Sequence, residues 1–307
     1  LLALPTVKPE LSRLVWIVAP LLGVLGAWNA RTKPFCSSMR GTGLYVYPLK
    51  SARGLPLEEA NLDAFGIEGD RRWCLTGGDG RVITQRDCPV LATLDVIPIE
   101  QGLALHAAGR RPLRVRRPEP GPDAQAVAVW EDLTAGLPVG EEADSWLVDL
   151  LERPCRLVYM PETTHRQISL SYGRSGDRVS FADGYPLLLT SDASLAELNR
   201  RMGATLPMDR FRPNIVVGGG EPFAEDDWAR IRVGNTEFRV VKSCARCVVT
   251  TTDQQTGRRG KEPLRTLATF RTVDGKVLFG ENLIHDGPGP VRSGDTVEVL
   301  ERRGAGR

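Results

Sequence analysis

The sequence predicts a mainly β, α+β chain of two barrel- or sandwich-like β domains with a few short helices. Short β-branched runs recur along it, separated by turn residues, which is the pattern of an all-β barrel or sandwich. Thirty-two glycines and 22 prolines in 307 residues supply those turns. Long runs with helical periodicity are scarce.

In order, residues 44–47 form a first strand, stopped by Pro48, so that Lys50 and Ser51 fall in a loop at its end. Residues 73–76 and 81–84 form a hairpin across Gly77-Gly78-Asp79-Gly80, a turn of residues that tolerate positive φ. Residues 94–99 and 103–106 form a second. Arg110, Arg111, Arg114, Arg116 and Arg117 lead into a Pro-Glu-Pro-Gly-Pro segment. No aromatic residue interleaves with these arginines, so they read as a surface connection with a basic strand edge rather than a nucleic-acid patch.

Residues 141–153 predict a helix with Trp146, Leu147, Leu150 and Leu151 on one face, followed by a strand over 156–160. The polar stretch 161–177 predicts a mobile inter-domain link or an active-site loop. After the apolar run 187–189, Ser191 caps a helix that Gly203 closes, with Leu195, Leu198 and Met202 on one face. Residues 215–217 predict a buried strand, with Gly218-Gly219-Gly220 as a turn. Residues 230–233 and 236–242 form a hairpin that delivers the chain to Cys244-Ala245-Arg246-Cys247, and 296–300 form a final strand. The run 248–252, Val-Val-Thr-Thr-Thr, predicts a further strand because β-branching disfavours helix.

Forty basic residues against 38 acidic ones give a net charge of +2, which argues against a large polyanionic partner such as nucleic acid. Six cysteines are too few for a disulfide scaffold, and a reducing compartment is the expectation. Residues 14–28 are apolar throughout and flanked by Arg13, Arg31 and Lys33. This stretch falls short of the roughly 20 residues a spanning helix needs. A short signal-anchor, a cleaved targeting segment and a non-native extension preceding Met39 all stay open for residues 1–40.

Cys244 and Cys247 carry the chemistry. Thiolates are soft metal ligands, and a neighbouring cation favours the thiolate. A zinc ribbon would need a second ligand pair, which the sequence lacks at suitable spacing. A redox dithiol would open a helix, whereas a strand is expected here. Lys50, Arg71, Arg212 and Arg246, with Ser51 and Asn214, stand at strand ends where they could converge on a phosphate-bearing cofactor. There is no phosphate-binding glycine loop of the nucleotide type. His106, His165 and His285 have no hydrolase partner motif.

Five motifs in order carry a resemblance: Tyr47-Pro48-Leu49-Lys50-Ser51, Gly69-Asp70-Arg71-Arg72-Trp73, Phe211-Arg212-Pro213-Asn214, Cys244-Ala245-Arg246-Cys247 running to Asp253, and Gly280-Glu281-Asn282-Leu283. Over residues 41–302 the chain resembles MOSC-domain proteins with an amino-terminal β-barrel domain, the group of the mitochondrial amidoxime-reducing components and their bacterial relatives. The resemblance implies a barrel-like domain over 41–160, a MOSC β-barrel over 161–302 and a tail over 303–307. It implies a molybdenum cofactor of the sulfite-oxidase type (molybdenum bound to molybdopterin), with Cys247 as metal ligand and Cys244 as a non-ligating neighbour. Lys50, Ser51, Arg71, Arg212, Asn214 and Arg246 match cofactor-anchoring positions, and Asp183 matches an acidic position near the metal. Gly184 and Tyr185 stand where relatives carry hydroxyl residues against the pterin. A link to pyridoxal phosphate is also admitted.

The implied reaction is two-electron reduction of a small N-hydroxylated substrate, such as an amidoxime or N-hydroxylated base, with loss of water. Because the chain stops at Arg307 without further cysteines, a separate electron-transfer protein of haem b, flavin or iron–sulfur type is expected as donor. The body is expected in the cytoplasm or facing it, with residues 14–28 as the membrane contact if native, on the mitochondrial outer membrane in a eukaryote. The rivals are a cofactor- or sulfur-carrying protein without turnover, and a zinc-stabilised β-barrel binding protein.

Overall fold

The computed structural model describes residues 38–121 and 123–304, and the apolar stretch 14–28 lies outside them. The first half begins with β1 (Arg40–Val46), β2 (Leu55–Pro56), β3 (Glu59–Asp63) and β4 (Gly66–Ile67). The two expected hairpins follow as β5 (Trp73–Thr76) with β6 (Val82–Ile83), and β7 (Asp95–Ile99) with β8 (Gly102–His106). β9 (Leu113–Arg116) joins the latter and alternates buried Leu113 and Val115 with exposed Arg114 and Arg116, the expected basic edge. β10 (Gln125–Val129) and β11 (Asp132–Pro138) make a third hairpin, closed by the two-residue turn Trp130-Glu131. Then come α1 (Glu141–Leu151), which buries Ala143, Leu147 and Leu151, and β12 (Arg156–Tyr159).

The second half runs through β13 (Leu187–Ser191), α2 (Asp192–Met202), β14 (Ile215–Gly218), β15 (Trp228–Val233) and β16 (Thr236–Ala245). It ends with α3 (Leu264–Ala268), β17 (Thr272–Val273), β18 (Lys276–His285), β19 (Gly289–Arg292) and β20 (Val297–Arg302). The cap of α2 forms as expected: the Ser194 amide donates to Ser191 Oγ at 3.1 Å, and Gly203 ends the helix in the left-handed region.

A nine-stranded sheet in the order β2-β1-β14-β13-β18-β16-β15-β20, with β17 beside β18, is the frame of the molecule. A five-stranded sheet, β10-β11-β12-β5-β6, carries two of the first-half hairpins, and the β7–β8 hairpin forms a three-stranded sheet with β9. The large sheet takes β1 from the start of the chain and sets it against β14, with Leu44 opposite Ile215. This pairing brings the loop after β1, residues 47–51, beside the loop before β14, residues 211–214. The large sheet packs on a core that includes Leu44, Leu189, Ile215, Phe238 and Leu283. A separate core around Leu75, Leu91, Leu105, Leu147 and Leu157 supports the first-half hairpins.

One sequence expectation fails and another is narrowed. Val248–Thr251 form one turn of 3-10 helix, not a strand. Thr250 Oγ1 donates to Cys247 O at 3.0 Å and Thr251 Oγ1 to Val248 O at 2.8 Å, so the threonine hydroxyls that disfavour α-helix here support a short tight turn. The stretch 161–177, expected as an inter-domain link or an active-site loop, is anchored rather than loose. Arg166 is buried and donates to Ser180 O, Ala182 O and Asp183 O at 2.6 to 3.0 Å, which ties the stretch to the loop carrying Asp183.

Candidate functional site

One cleft gathers Lys50, Ser51, Arg71, Asp183, Gly184, Tyr185, Arg212, Asn214, Arg246 and Cys247, every residue singled out from the sequence, together with Cys244. Five segments supply them: 47–51 after β1, the segment before β5, the stretch before β13, the loop before β14, and the end of β16 with the residues that follow it. Strand pairing in the large sheet sets these loops side by side.

Backbone strain marks the same place. Seven described non-glycine residues have positive φ, and Ser51 (71°), Arg71 (47°), Trp130 (58°) and Arg212 (54°) all stand at or beside the cleft. Each costs on the order of 1–3 kcal/mol, and such residues concentrate where a site over-determines the chain.

The anchoring side is densely built. Tyr47 is buried, donates its hydroxyl to Pro213 O at 2.9 Å, and has the guanidinium carbons of Arg71 and Arg212 each 4.3 Å from its ring centroid. Arg71 pairs with buried Asp70 at 2.5 Å and donates to Asn214 Oδ1 at 2.9 Å. Asn214 is fully buried; its oxygen also accepts from Leu188 N, and its nitrogen donates to Tyr45 O. Its amide therefore holds Arg71 and two strands in place. Gln254, itself tied to Gln85, accepts from Arg212 at 3.2 Å.

Arg212 makes no ion pair among the described residues. Burial lowers its pKa to about 10, so it remains a cation at neutral pH. Its Nη2 and the Nε of Arg246 are buried without a hydrogen-bond partner, and an unmatched buried donor is costly unless a ligand takes it.

The thiol side is looser. Lys50 Nζ pairs with Asp183 Oδ1 at 2.5 Å, and Arg86 Nη1 lies 3.7 Å from Asp183 Oδ2. Burial would raise the Asp183 carboxyl, but Lys50 and Arg86 overcome it and hold the group well below the usual carboxylate range. Burial pulls the Lys50 ammonium below its ordinary value against the opposing effect of Asp183. Arg86 Nη1 is also 3.7 Å from Cys247 Sγ.

Arg246 does not serve Cys247. Its Nη1 reaches Cys244 Sγ at 2.9 Å and its Nη2 donates to Phe211 O at 2.7 Å. β16 runs to Ala245 with a register shift between Ser243 and Ala245, and Arg246 follows it directly. The cation beside Cys247 is Arg86, distant in sequence and in no motif.

Gly184 has open space where a Cβ would stand, leaving its backbone free toward the cleft. Tyr185 packs edge-on against Tyr172, with centroids 5.9 Å apart, and burial raises its hydroxyl to about 12. Among the described residues, no three His, Cys, Asp or Glu side chains gather as a metal-ion donor set.

These residues fit a phosphate-bearing, thiolate-ligated group. Lys50, Arg71, Arg86, Arg212 and Arg246 surround the cleft, while Asp70 and Asp183 are the carboxylates paired with them. The surplus of cations and the two orphaned guanidinium nitrogens suit phosphate oxygens, which arginine holds in charge-assisted hydrogen bonds. A half-buried thiol beside a guanidinium suits a soft metal.

Comparison with known proteins agrees in extent. The MOSC N-terminal beta barrel domain profile matches residues 39–154, and the MOSC domain profile matches residues 176–298. The chain is 32% identical over 320 residues to human mitochondrial amidoxime-reducing component 1, covering 94% of both chains. It is 31% identical to human mitochondrial amidoxime reducing component 2, over 88% of this chain and 86% of that one. A rice molybdenum cofactor sulfurase is 32% identical over 77% of this chain but only 31% of its own length.

Proposed function

Because the chain belongs to the family of two-domain MOSC proteins that includes the mitochondrial amidoxime-reducing components, we propose that it is a molybdenum-cofactor-dependent reductase of small N-hydroxylated compounds. Its standing as a molybdenum-cofactor-related MOSC protein rests on those relatives. The step to a reductase rests on one observation. A half-buried thiol, Cys247, shares a cleft with Arg212, a buried guanidinium without an ion pair among the described residues, and with Arg246, whose Nε is buried without a partner.

In this reading Arg212, Arg71, Ser51 and Arg246 hold the pterin phosphate, the open backbone at Gly184 and the side chain of Tyr185 lie along the pterin, and Cys247 is the metal ligand. Asn214 positions Arg71 rather than touching the cofactor. The cofactor, when bound, supplies the two-electron redox chemistry, and the protein supplies ligation, orientation and field. Asp183, kept ionised by Lys50, is placed to accept a hydrogen bond from the substrate's N–H or O–H group and fix its orientation. Pyridoxal phosphate is the poorer fit, because Lys50 is ion-paired rather than free to form a Schiff base. A separate electron-transfer protein of haem, flavin or iron–sulfur type is the proposed donor. The proposed location is cytoplasm-facing, at the mitochondrial outer membrane in a eukaryote; no described helix is long and apolar enough to cross a membrane.

The test is benzamidoxime reduction by the molybdenum-loaded protein with an artificial electron donor. Turnover to benzamidine supports the reductase. Bound molybdenum cofactor without turnover supports the carrier alternative, toward which the sulfurase similarity points.

A further inference from the structure

A second cavity adjoins the first and shares Lys50, Thr84, Arg86 and Asp183 with it; Val129 and Trp130 form part of its other wall. Trp130 is unusual on three counts. It is a large aromatic residue in the left-handed region, with φ 58°, where asparagine or glycine is the ordinary choice for a two-residue hairpin turn. It is 54% exposed, so core packing does not hold it there. The hairpin that carries it is pinned to its neighbour, since Ala128 N donates to Gly80 O at 2.9 Å, so the ring is set against the cavity wall rather than on a free loop.

The face of that ring is covered by a guanidinium. Arg86 Cζ lies 4.3 Å from the Trp130 centroid, close enough for a cation–π contact. The same guanidinium is 3.7 Å from Asp183 Oδ2 and 3.7 Å from Cys247 Sγ. The distance to Asp183 exceeds a hydrogen-bonded ion pair, and the contact to Cys247 Sγ is a weak N–H···S hydrogen bond, so the group is held in this corner by weak contacts. The corner thus offers an aromatic face, a carboxylate that Lys50, Arg86 and the Trp130 side chain all address, and a thiol at the edge. A guanidinium and an amidinium share a planar, delocalised cationic head with N–H donors in its plane.

We propose that the corner between the Trp130 ring and the Asp183 carboxylate is a binding site for planar amidinium-like groups, and that Arg86 occupies it in the resting protein as an internal stand-in. The inference deepens the reductase reading by naming how an amidine-type substrate and its product are recognised. A neutral amidoxime would enter by displacing Arg86 from the ring. Its protonated amidine product would be held more tightly, through the added charge opposite Asp183.

Calorimetric titration of benzamidine into the full-length protein tests this, with benzamide as the neutral planar control. Benzamidine is expected to bind at least tenfold more tightly than benzamide. Trp130→Ala should weaken it roughly 3- to 30-fold, Trp130→Phe less, and Asp183→Asn at least tenfold. Arg86→Met should tighten it severalfold, because the resident cation no longer competes. Equal binding of the two ligands overturns the proposal, as does weaker binding to Arg86→Met than to the unaltered protein. Unchanged binding in both Trp130 variants also overturns it, and Trp130→Phe keeps that arm readable if the alanine variant does not fold. The binding needs no molybdenum, so it separates from the reductase reading. Benzamidine binding in this pattern without amidoxime reduction sinks only the reductase, and reduction that benzamidine does not inhibit sinks only the corner.

Discussion

The two sides of the cleft are built differently. Around Tyr47, Arg71, Arg212 and Asn214, groups are buried, hydrogen bonds run at 2.5 to 3.4 Å, and the polar atoms left over are donors. Around Cys247, Asp183, Arg86 and Trp130, side chains are partly exposed and two of the defining contacts are 3.7 Å long. The first arrangement suits a ligand that binds once and stays. The second suits one that must enter, react and leave, where a rigid corner would slow release.

The contrast breaks most sharply at Arg212. Arg212→Met removes a buried cation whose free donor has no other use, and cofactor affinity should fall roughly 10- to 150-fold, on the scale of a lost charge-assisted hydrogen bond. Molybdenum content after dialysis measures it, with Arg200→Met, an exposed arginine paired to Glu197, as the unaffected control. If both variants retain metal equally, the tight side is not a cofactor anchor.

A second, slightly smaller effect comes from beneath the thiol strand. Glu281 on β18 is fully buried opposite Ser243 on β16, and burial raises its carboxyl to about 7 although Arg303 lies 2.7 Å away. The folded protein therefore keeps a proton that the unfolded chain, with an ordinary value of 4.5, releases. Stability from this group is intact below pH 4.5 and lost as pH rises to about 7, on the order of 3 kcal/mol in total. Denaturant melts of the unaltered protein and Glu281→Gln across that range should converge at low pH and separate above it, with the glutamine variant the more stable at pH 8. Parallel curves would show that Glu281 is ionised throughout.

The smallest effect sharpens the loose side. Trp130→Gly relieves a left-handed aromatic residue that packs little, so stability should rise by about 1 kcal/mol while benzamidine binding weakens. A loss of stability would mean that the ring supports the hairpin instead of a ligand.

Legibility in the sequence followed the same divide. The hairpins across 77–80 and 234–235 and the caps of α2 were readable because glycine, asparagine and serine at fixed offsets dictate backbone geometry locally. The tight side was readable through motifs, because buried arginines and their partners sit within a few residues of strand ends. β18 went unread: Gly280-Glu281-Asn282 breaks a strand pattern, yet pairing with β13 and β16 on either side forces the strand. Gly280 is needed there, since it has φ 78° and a Cβ would meet Leu189 O at 2.6 Å. Arg86 and Trp130 were missed because their meaning depends on long-range contact, Arg86 with Cys247 and Trp130 with a cavity wall. A tryptophan at the first position of a two-residue turn was the one local signal available. Arg246, next to Cys247 in the chain, reaches Cys244 instead, because adjacency along the chain is not adjacency in space.

In the proposed function Cys247, and not Cys244, is the thiol that would hold molybdenum. Molybdenum per chain, measured by elemental analysis on the unaltered protein, Cys247→Ser and Cys244→Ser purified with cofactor available, tests it most directly. About one molybdenum per chain is expected, with near none in Cys247→Ser and a substantial fraction in Cys244→Ser. Equal loss in the two variants, or zinc in place of molybdenum in the unaltered protein, would contradict it.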